Sequence, residues 1–239
     1  SRIHEQWEYV KGGLIMEADV VNNIRNVLRN LPEDIQLVAV SKFHSKESIE
    51  KAYSAGQRVF GESHEQELKL KKTALPQDIC WHFIGHLQTN KVKYIAPYID
   101  MIEAVDSFKL MKEINKQARK NNRVIDILLE LHIATEETKY GFTLDACRQM
   151  LKDGEWRNLK SVRICVLMMM ASNVDDEEQI CKEMLTAANF FDEIKRDFFA
   201  DMDYFKERSW GMSHDYLLAV SCRSTMVRVG SAIFGTRVY

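Results

Sequence analysis

Leu37-Val38-Ala39-Val40-Ser41-Lys42 is a short apolar, β-branched run that ends in a lysine. A strand buried on both faces of a parallel sheet reads this way. Folds built on such sheets place their sites at the carboxyl ends of the strands, where the Lys42 ammonium would stand. A lysine partly shielded there can lose its proton and form a Schiff base with an aldehyde. The competing reading is an ordinary strand-end lysine, solvated and inert, and the run alone does not decide between them.

Outward from this run, strand-like and helix-like segments alternate. Met16 to Asn30 carries Val20, Val21, Ile24, Val27 and Leu28 at helical spacing, and Pro32 leads into the strand that ends at Lys42. Seven further strands are predicted: Gln57–Phe60, Cys80–Ile84, Ile99–Val105, Val124–Ile133, Ser161–Met170, Arg208–Met212 and Met226–Val229. Helical stretches fall between them, at Ser45–Ser54, His64–Lys72, Asn90–Tyr94, Phe108–Asn121, Leu144–Lys152, Asp175–Phe199 and His214–Ser221. A last short helix follows Gly230-Ser231. Eight such alternations predict an α/β fold, a single (β/α)8 TIM-type barrel with an extra N-terminal helix. An open doubly wound sheet is the first rival, but no GxGxxG follows a strand. A barrel with one strand misassigned is the second.

The 239 residues lie close to the roughly 250 usual for such a barrel. Hydrophobic residues make up 46%, enough for a large core, and the net charge of -2 comes without a basic block. That balance argues against nucleic acid or an anionic membrane as the main partner. The longest apolar run, Ile164 to Ala171, fits a strand and falls far short of the roughly 20 residues that span a bilayer. No secretory signal is visible. Cys80, Cys147, Cys165, Cys181 and Cys222 show no CxxC spacing, which reads as reduced thiols in a cytoplasmic protein and not as a zinc site. No Gly/Ser linker divides the chain. Residues 1–15 differ in texture from the rest and are expected to be an upstream extension or tag, with residues 16–239 forming the barrel domain.

Two stretches near the carboxyl terminus fall after the seventh and eighth strands. They are Trp210-Gly211-Met212-Ser213-His214-Asp215, and Ser224 to Gly235. Barrels commonly bind phosphate there, through loop amides and the start of a short extra helix. Gly230 allows close backbone approach, and Ser213 and Ser231 offer hydroxyl and amide donors. Arg228, one position before the strand end, is expected to point into the barrel mouth; the alternative is a structural ion-pair partner. In a closed barrel strands one, seven and eight are neighbours, so Lys42 and the cradle would share one pocket. An amine and a phosphate cradle suit an aldehyde that carries a phosphate, of which pyridoxal phosphate is the commonest in proteins.

Other residues carry weaker signals. Along Trp81-His82-Phe83-Ile84-Gly85-His86-Leu87-Gln88-Thr89-Asn90-Lys91, alternation puts His82 and Ile84 on one face. His82 reads foremost as a satisfied interior histidine, while His86 and Asn90 could line the mouth. Gly61-Glu62-Ser63 occupies the same place after the second strand. Leu167-Met168-Met169-Met170 reads as barrel packing, with one methionine sulfur free to lie against an aromatic ring. No HExxH, GxSxG or marked carboxylate pair is present.

Val40-Ser41-Lys42, Ala55 to Glu62, Trp81 to Lys91, Lys139-Tyr140-Gly141-Phe142, Gly211-Met212-Ser213 and Ser224 to Gly235 together resemble the pyridoxal phosphate homeostasis protein family, in order from about Met16 to Tyr239. The resemblance implies a single barrel like the amino-terminal domain of alanine racemase, with pyridoxal 5′-phosphate on a lysine that matches Lys42. Ser213, Gly230 and Ser231 match phosphate-holding positions, and Ser63 stands near the cofactor. Apart from the resemblance, Met168 is taken as the methionine whose sulfur would lie against its ring. Arg228 matches an arginine that faces the pyridine nitrogen. A cation there keeps the nitrogen unprotonated and makes the ring a weak electron sink. The chain departs from the family pattern at Ser63 (usually Asn), Val166 (usually Gly) and Arg223 (usually Gly). The turn at Arg223 is expected on the amino-terminal face, away from the site.

The resemblance implies a non-catalytic carrier that keeps the free aldehyde low, with pyridoxal-phosphate-dependent apoenzymes as possible recipients. The runner-up is an amino-acid racemase, which needs proton donors on both faces of a carbanion. In alanine racemase one donor comes from a separate β domain, and here the sequence ends at Tyr239, just past the barrel. A cofactor-free Schiff-base aldolase is a third reading. Without a second domain a monomer is expected.

Overall fold

A computed structural model describes residues 7–10, 13–16, 19–134 and 140–236. Strands β1 (Trp7–Val10) and β2 (Gly13–Met16) form an antiparallel hairpin in which Trp7 faces Met16. Helix α1 (Val20–Arg29) follows, and Met16 is therefore not part of it. The helix starts where a cap is available: the Asp19 side chain accepts the Asn22 N–H at 3.1 Å. Val20, Ile24 and Val27 are its buried face. The Asn23 side chain donates to the Ile233 carbonyl at 2.9 Å and ties α1 to the end of the chain.

The barrel strands are β3 (Gln36–Val40), β4 (Val59–Glu62), β5 (Cys80–Phe83), β6 (Met101–Val105), β7 (Ile125–Leu131), β8 (Val162–Met169), β9 (Glu207–Ser209) and β10 (Met226–Val229). They close in the order β10-β3-β4-β5-β6-β7-β8-β9, and every pairing is parallel. The helices between them are α2 (Lys46–Ser54), α3 (Glu65–Ala74), α4 (Val92–Ile95), α5 (Phe108–Lys120), α6 (Leu144–Asp153), α7 (Glu177–Phe198) and α8 (Tyr216–Ser221), with α9 (Ser231–Phe234) last. This is the expected (β/α)8 architecture. Leu37 and Ala39 of β3 belong to the main core under the helices, while Val38 belongs to a second cluster inside the barrel. That is the period-two alternation of a strand buried on both faces.

The seventh strand is shorter than the expected Arg208–Met212. Gly211 takes a φ of 108°, and a Cβ there would lie 2.6 Å from the Ala219 Cβ. The chain therefore leaves the sheet close to α8, at a position only glycine fits. Between α6 and β8 the chain forms a 3₁₀ turn at Glu155–Asn158. On β8 the register to β7 shifts between Ile127 and Leu128, and Val166 has a φ of 138°. This bulge breaks the alternation, so Cys165 and Met168, three residues apart, both join the interior cluster. Val166, in place of the family's glycine, thus sits in backbone geometry that favours glycine.

Candidate functional site

Strands β3 and β10 are neighbours, with Ala39 abreast of Val229 and Val38 abreast of Arg228. Gly230 follows β10, and a Cβ on it would lie 3.3 Å from the Val40 Cβ. Lys42, half-buried, follows Val40 by two residues. The lysine and the glycine loop therefore stand at adjacent strand ends on one rim. Ser213 joins them from the loop after β9. Its hydroxyl oxygen accepts the N–H groups of Gly230 at 3.1 Å and Ala232 at 3.2 Å. The Met212 N–H donates to buried Asp215 at 2.6 Å, which fixes that loop. Ser231, exposed, opens α9.

Ser63 follows β4 on the same rim. Its hydroxyl is buried and without a hydrogen-bond partner, and it packs on Gly85, where a Cβ would come within 2.6 Å of the Ser63 Cβ. Buried hydroxyls ordinarily have a partner. An orphaned one at the carboxyl end of a barrel strand fits a site that receives a polar ligand.

Arg228 lies inside the barrel and is only 3% exposed. It donates to the Ser209 carbonyl at 2.9 Å and hydroxyl at 2.5 Å, and to the Met169 carbonyl at 3.1 Å. Glu103 lies 3.7 Å away. Two residues, Ser209 and Met169, and the Glu103 charge thus hold a cation inside the barrel beneath the rim. Glu103 accepts from Ser209 at 2.6 Å and meets His82 Nδ1 at 2.8 Å. His82 is a satisfied interior histidine, as its place on β5 predicts. Burial pulls its pKa down, but Cys80 and Glu103 outweigh that and raise it to about 10. For Glu103 burial acts upward, and His82, Arg228 and Ser209 overcome it and hold the carboxyl below its usual range. Desolvation lowers the pKa of Arg228 against the pull of Glu103, Glu130 and Asp215.

Glu130, near the end of β7, is also buried. Burial, then the charge of Asp106, pushes its carboxyl up to about 7, with Arg228 opposing. Glu103, Ser209 and Glu130 carry no motif in the sequence. A lone acid within an apolar strand is the available signal, since a buried charge requires a partner. Met168 is almost fully buried within the interior apolar cluster. His86 and Asn90 are exposed, with His86 stacked on Tyr140 at 3.7 Å and 3.3 Å from Asp106. Lys139 and Tyr239 lie outside the described residues, as do parts of the 1–15 segment. Among the described residues no cluster of His, Cys, Asp and Glu could hold a metal ion, and no helix is long and apolar enough to cross a membrane.

The model of the alanine racemase N-terminal domain family matches residues 15–238. A pyridoxal phosphate homeostasis protein of Aquifex aeolicus is 35% identical, over 85% of this chain and 88% of that protein. One from Schizosaccharomyces pombe is 34% identical, over 99% of this chain and 94% of that protein. Among solved structures, PipY of Synechococcus elongatus PCC7942 with PLP bound superposes with a TM-score of 0.82 at 32% identity, covering 91% of this chain and all of that one. Alanine racemase of Clostridium difficile 630 shares the fold, with a TM-score of 0.74 at 13% identity, and the match covers 60% of that enzyme. The chain belongs to the alanine racemase N-terminal domain family. Within it, the chain is a member of the pyridoxal phosphate homeostasis proteins.

Proposed function

We propose that this chain binds pyridoxal 5′-phosphate at the rim formed by β3 and β10, holds it on Lys42, and serves pyridoxal phosphate homeostasis without turning over a substrate. The observation that carries the reading is the meeting of Lys42 with the Gly230 loop and the Ser213 hydroxyl on one rim. The PLP-bound relative and the names of the curated relatives support the same ligand. When bound, pyridoxal phosphate would supply an aldehyde carbon able to condense reversibly with the neutral Lys42 amine, with loss of water and no need of a redox partner.

Ser213, Gly230 and Ser231 would hold the phosphate. Arg228, fixed by Ser209, Met169 and Glu103, would supply a permanent cation toward the ring nitrogen, disfavouring its protonation. Ser63 would gain the hydrogen-bond partner it lacks, and Met168 would form the apolar floor. The reading includes a cytoplasmic monomer that passes its cofactor to apoenzymes; size-exclusion chromatography tests the oligomeric part. Titration with pyridoxal phosphate, followed by absorbance, should give a Schiff-base band in the wild type and none in Lys42→Ala. Incubation of the loaded protein with L- and D-amino acids should show no conversion. Racemisation at ordinary enzyme rates would replace the carrier with the enzyme reading.

A further inference from the structure

Glu62, Glu67 and Lys71 form a buried ionic cluster between β4 and α3, apart from the groups assigned to the cofactor. The Glu62 side chain is fully buried, that of Lys71 is 9% exposed and that of Glu67 is 23% exposed. Lys71 Nζ donates to Glu62 Oε2 at 2.9 Å and Oε1 at 3.2 Å, and to Glu67 Oε2 at 2.8 Å. Its remaining reach is to the Ser41 carbonyl, at 2.8 Å. The Ser41 hydroxyl donates to the same Glu62 carboxylate. On the other side, the Phe43 N–H donates to Glu67 Oε2 at 2.7 Å.

Ser41 and Phe43 are the two neighbours of Lys42. The cluster therefore reaches across from β4 and α3 and ends on the backbone at both sides of that lysine. Phe43 has a φ of 66°, a left-handed conformation that is unfavourable for a bulky side chain and persists only where its surroundings impose it. Apolar residues would dock α3 on the sheet at least as well as a buried ion triad. What the triad adds is directional hydrogen bonding to two particular peptide units.

We propose that Lys71, with Glu62 and Glu67, is a positioning device for Lys42: it fixes the backbone turn from which the lysine amine is presented to an aldehyde carbon. The inference rests on Lys42 as the attachment point. It assigns Lys71 no contact with the cofactor.

The test compares two ligands on the 239-residue chain. Pyridoxal phosphate carries ring, phosphate and aldehyde; 4′-deoxypyridoxine 5′-phosphate lacks the aldehyde. Lys71→Met and Glu67→Ala should each weaken pyridoxal phosphate binding about tenfold or more and diminish the Schiff-base band, while affinity for the deoxy compound stays within about twofold. Glu67→Gln, which keeps an acceptor for the Phe43 N–H, should recover most of the loss. Without any ligand, amide exchange at Phe43 should quicken in Glu67→Ala. Should Lys71→Met fail to fold, Glu67→Ala at its partly exposed position decides the matter. Equal losses for both ligands would make the cluster merely structural and overturn the proposal, as would unchanged pyridoxal phosphate binding in Glu67→Ala. A wild type without the band, or Lys42→Ala with it, would overturn the underlying reading first and the clamp with it.

Discussion

Met226 and Arg228 lie two residues apart on β10, yet they belong to different chemistry. Met226 joins Val38, Met101, Ala104, Leu128, Cys165 and Met168 in an apolar cluster, which includes the first residues of β6 and β10. Arg228, closer to the carboxyl end, joins His82, Glu103 and Ser209 in a network of buried polar groups, with Glu130 also nearby in charge. The apolar set is held by packing and tolerates changes that keep its volume. The charged set is stable only while each ion keeps its partner. The barrel interior thus combines apolar packing with fixed charge, the two lying abreast at Val38 and Arg228 and at Met168 and Ser209.

Breaking the charged set should have the largest effect. Glu103→Leu leaves Arg228 and His82 buried without their carboxylate and should lower stability by about 3–5 kcal/mol, read as a fall in the urea midpoint at unchanged m-value. A loss below about 1 kcal/mol would erase the contrast with the apolar set.

Glu130→Gln sharpens the same contrast through pH. The folded pKa of Glu130, about 7, lies above its unfolded value of 4.5, so its favourable contribution is present below 4.5 and is lost as pH rises through 7. The variant lacks that loss. It should gain stability relative to wild type between pH 5 and 8, by on the order of 1–3 kcal/mol. A difference that does not vary across this window would contradict the assignment.

The apolar set should respond weakly. Met168→Leu conserves volume and should cost less than about 1.5 kcal/mol in chemical denaturation. A larger loss would mean that the apolar set is as exacting as the charged network.

Arg223→Gly probes the far end and should matter least. Arg223 has a φ of 72°, and its guanidinium pairs with exposed Asp192 at 2.8 Å. Relief of the left-handed backbone is worth about 1–2 kcal/mol, and it is opposed by loss of an exposed ion pair and by the greater freedom of glycine when unfolded. The net change should stay within about 1 kcal/mol, with pyridoxal phosphate affinity unaltered. The turn precedes β10, at the amino-terminal end as the sequence implied.

The barrel was legible because β-branched runs and amphipathic helices alternate without interruption. Once closure is granted, Lys42 and Gly230 must be neighbours, since they follow the first and last strands. Other features depend on geometry that spacing does not encode. Glu67 and Lys71 are four apart on a helix, a pattern that ordinarily marks a solvated surface pair. Only the placement of α3 against β4 reveals that the pair is buried and turned toward Ser41 and Phe43. Glu103 is visible as an acid in an apolar strand, but its partners come from β5, β9 and β10, and the sequence offers no means of choosing them. The bulge at Val166 shifts which residues face inward, so strict alternation misorders the interior of β8.

The Lys42 amine is the proposed point where the cofactor is held. Borohydride reduction of the protein loaded with pyridoxal phosphate, followed by peptide mass mapping, tests it most directly. The mass of the reduced cofactor should appear on the peptide that contains Lys42 and be absent from the others. Modification of a different lysine, or an unmodified Lys42 peptide in a fully loaded sample, would contradict the account.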